Sequence, residues 1–308
     1  MNLEFNPDQL ALLDAVERIA SAHEARSVLG ANHFEYSTLL QTDLDAAGIF
    51  EAAAVEELGA VAAVAMIHRL AKLPQCVELV AAALVLPLLA PDLARACAVF
   101  WGRRDGPARW LPGARTVLCV CGDIVETAML TDADVASLDS PFGYPVGRLI
   151  EPDALSWRQL DLEAAELRRL WRLGVAIELT GCLEAALHAV AAHVRDRRQF
   201  GRPLGAFQAV QHRLAAAAVQ VEAGRWLALQ AAHSGCDADA ACALAHAQDC
   251  TPAITYDLHQ FMGAMGLTLE HPLHRWTTRA KMLRADTGGA QAQQLALAAA
   301  VWDLEVTA

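Results

Sequence analysis

Apolar positions recur at helical spacing through both ends of the chain, and with a period of two only in a short stretch between them. Asn6-Pro7-Asp8-Gln9 reads as a helix start, with asparagine as cap, proline in the first turn and glutamine three residues after the cap. Leu10, Leu13, Val16 and Ala20 then repeat along one face. Further helices are predicted from Phe34 to Ala47, Glu51 to Leu73 and Cys76 to Trp101, broken at Gly48, Pro74 and Pro91. They form an N-terminal helical domain, residues 1–104.

The pattern changes near Arg104. Gly106-Pro107 and Pro112-Gly113 signal turns, and Thr116 to Cys121 reads as a strand. Gly122-Asp123 then turns it into Ile124 to Leu130, a hairpin, and a short strand is predicted through Val146 to Ile150. This is a small β domain, residues 105–160, ending its sheet by about Trp157. From Leu162 to Arg198 there is neither proline nor a turn cluster, and Leu167, Leu170, Leu173 or Gly174, Ile177 and Gly181 sketch a buried stripe. Gly201 and Pro203 stop that helix. Three more are predicted over Phe207 to Ala232, Ala238 to Leu258 and His274 to Val306, giving a C-terminal four-helix bundle over residues 161–308. The fold class is mostly α.

Composition sharpens this picture in three places. Hydrophobic residues make up 55% of the 308 and aromatics only 6%, so alanine-rich helices that approach closely are expected. A net charge of -12 repels phosphates over most of the surface and argues against nucleic acid, while Arg195, Arg197, Arg198 and Arg202 form a local basic cluster. None of the eight cysteines forms a CxxC pair, and reduced thiols are expected. Cys119 and Cys121 are expected to point to opposite faces of their strand, as neighbouring side chains do, and so not to share an ion. His271 with His274, and His188 with His193, lack a third ligand, so no metal site is predicted. The first eight residues lack the basic and apolar regions of a signal peptide, and the run Leu79 to Ala90 is too short to span a bilayer. A soluble cytoplasmic protein without a membrane partner is expected.

The stretch Arg197-Arg198-Gln199-Phe200-Gly201-Arg202-Pro203-Leu204-Gly205 through Gln208 resembles a signature of the flavin-dependent acyl-CoA dehydrogenases. A second stretch, Gln260-Phe261-Met262-Gly263-Ala264 through Glu270-His271-Pro272, resembles that family's Gln-Gly-Gly-Gly-Tyr-Thr-Glu-Tyr-Pro region. The resemblance implies the family's architecture of helical domain, β domain and helical bundle, here with a reduced β domain. It also implies that Arg197 meets the FAD pyrophosphate, for which a guanidinium fork is suited. By the same resemblance Gln199, Phe200 and Gln208 line the adenosine side, and Gln260, Gly263 and Ala264 let adenine and ribose approach the backbone. Ala264 stands where the family has a second glycine. In the family these contacts reach a flavin bound mainly by the neighbouring subunit.

The catalytic base departs from the family. Counting fifteen residues on from Pro272 places Thr287 at the glutamate position, and the other known location, in the long helix, is Trp171. A threonine hydroxyl is far too weak a base for this proton at neutral pH. Asp286 and Glu178 are the candidate substitutes, Glu178 lying two turns, about 10 Å, beyond Trp171 on nearly the same face. The loop and strand with which the family cradles its flavin ring are missing between Arg104 and Trp157. The resemblance therefore implies one subunit of a heteromeric enzyme, α2β2, that desaturates an acyl-CoA, with a steroid or other bulky group. A full-length dehydrogenase subunit would share its FAD with this chain, bind most of the acyl-CoA, supply the glutamate and pass electrons to an electron-transfer flavoprotein. Two alternatives stand beside it: a scaffold or regulatory protein with no flavin contact, and a homomeric dehydrogenase with a relocated base.

Overall fold

The computed structural model describes residues 4–26, 34 and 36–302. Helix α1 (Pro7–Glu24) opens as its sequence predicts. The Asn6 side chain accepts from the Gln9 N–H at 2.8 Å, and the Gln9 side chain accepts from the Asn6 N–H at 3.1 Å. Helix α2 (Thr38–Ala46) is capped by Ser37; of the longer helix predicted from Phe34, residue 35 lies outside the described residues. The helix predicted from Glu51 to Leu73 is two pieces, a 3-10 turn at Ile49–Ala54 and helix α3 (Gly59–Ala71). The break falls where Val55 turns extended and Gly59 takes a φ of 62°, a conformation that suits glycine.

The helix predicted from Cys76 to Trp101 is the larger correction. A π-helical turn at Ala81–Val85 runs into a short helix α4 (Leu86–Leu89), and Cys97–Trp101 is a strand, β1. An unbroken apolar run carries no period, so the sequence cannot separate a buried strand from a buried helix there. Strand β1 pairs in parallel with β3 (Thr116–Cys121), so the sheet begins ahead of Arg104. The strands β2 (Ala108–Arg109), β4 (Ile124–Met129), β5 (Val135–Leu138), β6 (Val146–Leu149) and β7 (Arg158–Gln159) complete two sheets, ordered β1-β3-β4-β7 and β2-β6-β5. The β3–β4 hairpin turns at Gly122-Asp123 as predicted, with Cys121 opposite Ile124. Cys119 and Cys121 do not point apart: their sulfurs lie 3.5 Å from each other. Residues two apart on a strand share a face, and only Val120 between them points the other way.

Helix α5 (Ala164–Asp196) is the axis of the molecule. Its middle is buried all round, as a helix packed on every side must be. Two small positions allow the packing: a Cβ on Gly181 would lie 2.6 Å from the His68 carbonyl, and one on Gly174 2.5 Å from Val80. Among the described residues α5 is the one helix long and apolar enough to cross a membrane, but 72% of its apolar window is buried inside the protein. Strands β8 (Arg198–Gln199) and β9 (Arg202–Pro203) form a small hairpin after it, followed by α6 (Gln208–Ser234) and α7 (Asp237–Met262).

The last predicted helix, His274 to Val306, is also broken, into α8 (Leu273–Leu283) and α9 (Gly289–Trp302); residues 303–308 lie outside the described residues. Thr287, Gly288 and Gly289 all have positive φ, which no helix tolerates. The buried Gln248 amide donates to the carbonyls of Leu283 and Asp286, both at 3.0 Å, satisfying acceptors that the break leaves free. The result is the architecture read from the sequence: N-terminal helices, a small β region and a C-terminal bundle.

Candidate functional site

The break between α8 and α9 brings the two base positions together. Trp171, on the first half of α5, donates its indole N–H to Asp286 at 2.9 Å, and Asp286 immediately precedes Thr287. Arg109 of β2 closes the group from the sheet side, its Nη2 3.0 Å from Asp286 Oδ2 and its guanidinium 5.1 Å from the Trp171 ring centroid. None of the Arg109 N–H groups is aligned for a hydrogen bond, so this contact is an ion pair held by charge and stacking. Burial works against the arginine's charge, but Asp286, Glu178 and Tyr144 outweigh it and hold its pKa up. Trp101 stacks edge-on against Trp171 at 5.8 Å.

Thr287 is itself committed to structure. Its carbonyl and hydroxyl accept from the Gln293 amide at 2.8 and 3.0 Å, and Gln293 in turn accepts from Arg172 at 2.9 Å. The space left beside it is a cleft of about 370 Å³ lined by Trp101, Arg168, Arg172, Thr287, Gly288 and Gln293, with no carboxylate. Neither substitute base opens onto that cleft. Asp286 is tied to Arg109 and Trp171, and Glu178 is 2% exposed, accepting from the Tyr144 hydroxyl at 2.7 Å. Burial raises the Glu178 pKa against the pull of Arg109, Tyr144 and Arg279. The buried Arg279 reaches the carbonyls of Leu73 and Gln75, and Gly143 makes room for it: a Cβ there would lie 2.4 Å from Arg279 Cγ. Arg109, Tyr144 and Arg279 were not singled out in the sequence; the one signal was an arginine set between apolar residues in Ala108-Arg109-Trp110.

The motif residues lie elsewhere, at the far end of α5, and they face solvent. Arg197 caps α5, and Arg198, Gln199, Phe200, Gln208, Gln260, Gly263 and Ala264 are all exposed. Phe200 and Gly201 form the two-residue turn between β8 and β9, with φ of 54° and 81°. Such a turn requires positive φ at both positions, which accounts for Gly201 but makes phenylalanine a costly choice. Phe200 is nonetheless 85% exposed, held edge-on to Phe207 at 6.1 Å, while Arg202 stacks on Phe207 at 4.0 Å. Gly263, with φ 65° and ψ -149°, sits in a region that glycine alone occupies readily.

The structure draws both motifs to one end of the bundle. Arg213 of α6 pairs with Asp257 of α7 and lies 5.1 Å from the Phe261 ring, so the helix ends carrying Gln208 and Gln260 sit side by side. His193, one turn before Arg197, has its pKa lowered by burial and then by the Arg197 charge. His271, just past the second motif, is lowered by burial and then by His193. Beside Gln260 and Gly263 runs a groove of about 860 Å³ whose walls include Tyr256, Thr278, Lys281 and Arg284. Exposed cations, amides and an aromatic face fit a diphosphate and a purine. Trp171 itself is buried, and the cleft beside Thr287 carries no carboxylate.

Residues 169–302 match the family model of the acyl-CoA dehydrogenase C-terminal domain. The bundle is an acyl-CoA dehydrogenase C-terminal domain. A short-chain specific acyl-CoA dehydrogenase of Clostridium acetobutylicum is 30% identical over 136 residues, 42% of this chain and 36% of that protein. The alignment thus spans little more than a third of the relative's length. Two solved structures extend the likeness to the whole chain. A variant of the steroid ACAD Tcur3481–Tcur3483 has a TM-score of 0.78 at 20% identity, covering 97% of this chain and 99% of that one. The ChsE4–ChsE5 complex of Mycobacterium tuberculosis gives 0.77 at 21%, covering 99% and 100%. At these identities the likeness is one of fold: the acyl-CoA dehydrogenase fold, from the N-terminal helices through the small β domain to the bundle.

Proposed function

We propose that this chain is the non-catalytic subunit of a heteromeric FAD-dependent acyl-CoA dehydrogenase. In this reading it lends Arg197, Gln199, Phe200, Gln208, Gln260, Gly263 and Ala264 to the adenosine diphosphate end of a flavin cradled by a full-length partner. The partner supplies the glutamate that takes the α-proton of the thioester, and binds most of the acyl-CoA. FAD, when bound, accepts the hydride from the β-carbon. The assembly is α2β2, cytoplasmic, with an electron-transfer flavoprotein as electron acceptor. A bulky acyl group such as a steroid thioester suits it, because the small β domain leaves more room than a fatty-acyl slot and two heteromeric or steroid-named neighbours share the fold.

One observation carries the proposal. Of the two base positions, Trp171 is tied into a network with Asp286 and Arg109 and Thr287 is bonded to Gln293, while the motif residues are presented to solvent with none of the described residues covering them. A scaffold without flavin contact gives no reason to keep Phe200 exposed at a positive φ. A homomer with a relocated base gives no route to Glu178, which is buried and bonded to Tyr144. The test is to purify the chain alone and with its partner, and to measure bound flavin and acyl-CoA desaturation. The chain alone should be colourless and inactive, and the complex yellow, with a single flavin shared by each pair of chains. Stoichiometric flavin on the isolated chain overturns the reading.

A further inference from the structure

Cys119 and Cys121 stand apart from everything described so far. Both lie near the end of strand β3 and share one face, and their sulfurs are 3.5 Å apart, in van der Waals contact without a bond. Both thiols point at the same backbone acceptor, the Gly102 carbonyl, at 3.6 Å from Cys119 and 2.9 Å from Cys121. Arg104 donates its Nε–H to the Cys119 sulfur at 3.4 Å, and is itself fixed by its ion pair with Glu126 and by the Trp157 ring 4.0 Å away. Cys119 is fully buried, whereas Cys121 is partly open to solvent.

We propose that Cys119 and Cys121 form a reversible dithiol–disulfide switch that exchanges with low-molecular-weight disulfides. The accessible Cys121 thiolate attacks one sulfur of the small disulfide RSSR, forming a mixed disulfide and releasing one thiolate. Cys119 then loses its proton to that thiolate and attacks the Cys121 sulfur, closing the protein disulfide and releasing the second small thiol. Two protein thiols are oxidised by two electrons and one RSSR is reduced to two RSH. Residues two apart on a strand have Cα atoms about 6.6–6.8 Å apart, at the upper edge of what a disulfide spans, so the closed form is strained and readily reduced. Burial pushes the Cys119 thiol up while Arg104 pulls it back, so the more accessible Cys121 attacks first and Cys119 resolves the mixed disulfide.

The full-length chain is incubated with oxidised glutathione, quenched by alkylation and read by peptide mass spectrometry. In the native protein the peptide holding both residues should lose two alkylatable thiols and carry no glutathione, while the exposed Cys236 accumulates a simple adduct. In Cys119→Ser, a stable glutathione adduct should appear on Cys121; in Cys121→Ser, Cys119 should remain a free thiol. Circular dichroism of both variants verifies that they fold. A lasting adduct on Cys121 of the native protein, or no reaction there while Cys236 reacts, overturns the proposal. So does equal reactivity of Cys119 and Cys121 in the two variants.

Discussion

The two ends of helix α5 have been put to opposite uses. Around Trp171, in its first half, aromatic and charged side chains from β1, β2 and the α8–α9 break interlock. Around Arg197, at its far end, the side chains that resemble a flavin motif are exposed, and Phe200 is held in a conformation that its own turn disfavours. The first region resembles a site converted into core. The second resembles half of a site awaiting its other half. The two ends can differ in this way because they are about 40 Å apart along the helix axis and pack against different elements.

The comparison breaks most visibly at Arg109. If the cleft is now core, Arg109→Ala leaves Asp286 buried opposite no cation and should cost about 3–5 kcal/mol of stability, measured by urea unfolding. A loss under about 1 kcal/mol would show the cleft to be solvated and open, and the base site not to have become core.

At the other end, Arg197→Ala should leave the unfolding midpoint unchanged and weaken FAD binding by the assembled complex about ten- to 150-fold, the worth of a charge-assisted hydrogen bond. Arg195, whose neighbour Asp196 lies 3.6 Å away in full solvent, is the control and should matter far less. Fluorescence titration of the apo-complexes with FAD checks this, and equal small effects would reduce Arg197 to a helix-end cation.

Thr287→Glu addresses the base position directly. Restoring the carboxylate should give no acyl-CoA turnover by the isolated chain, because the packing of Trp171 and Arg109 remains. It should also lower stability by about 1–2 kcal/mol, since a bulkier side chain at a φ of 49° loses the hydroxyl that Gln293 uses. Turnover without the partner would mean that the cleft admits flavin after all.

A pH-dependent effect concerns Glu78, which caps the π-helical turn by accepting from Ala81 and Ala82 at 2.8 and 2.7 Å. Burial raises its pKa to about 7 despite those two N–H donors. A raised carboxyl pKa contributes stability that is full below the ordinary value of 4.5 and is lost as pH rises through about 7. The native protein should therefore lose stability between pH 5 and pH 8, and Glu78→Gln should flatten that slope in thermal melts. An unchanged slope would place the titration elsewhere.

Much of this was legible in the sequence. The Asn6 cap, the β3–β4 turn at Gly122-Asp123 and the unbroken course of α5 rest on local chemistry, so the chain carries them directly. The motif residues could be named because their spacing is a linear feature. Four readings failed: Cys97–Trp101 is a strand because β3 lies beside it, the last helix breaks at Thr287, the helix from Glu51 breaks before Gly59, and Cys119 shares a face with Cys121.

The sequence by itself determined the order of helical, sheet and helical regions, the absence of a carboxylate at both base positions, and the exposed motif between α5 and α6. Only the tertiary structure decided what packs around Trp171. Arg109 and Asp286 are far apart in the chain, and nothing local says that an arginine of β2 will meet a carboxylate beyond α8. Periodicity and caps are set by neighbours within a few residues, whereas an ion pair buried against Trp171 depends on three elements docking at once.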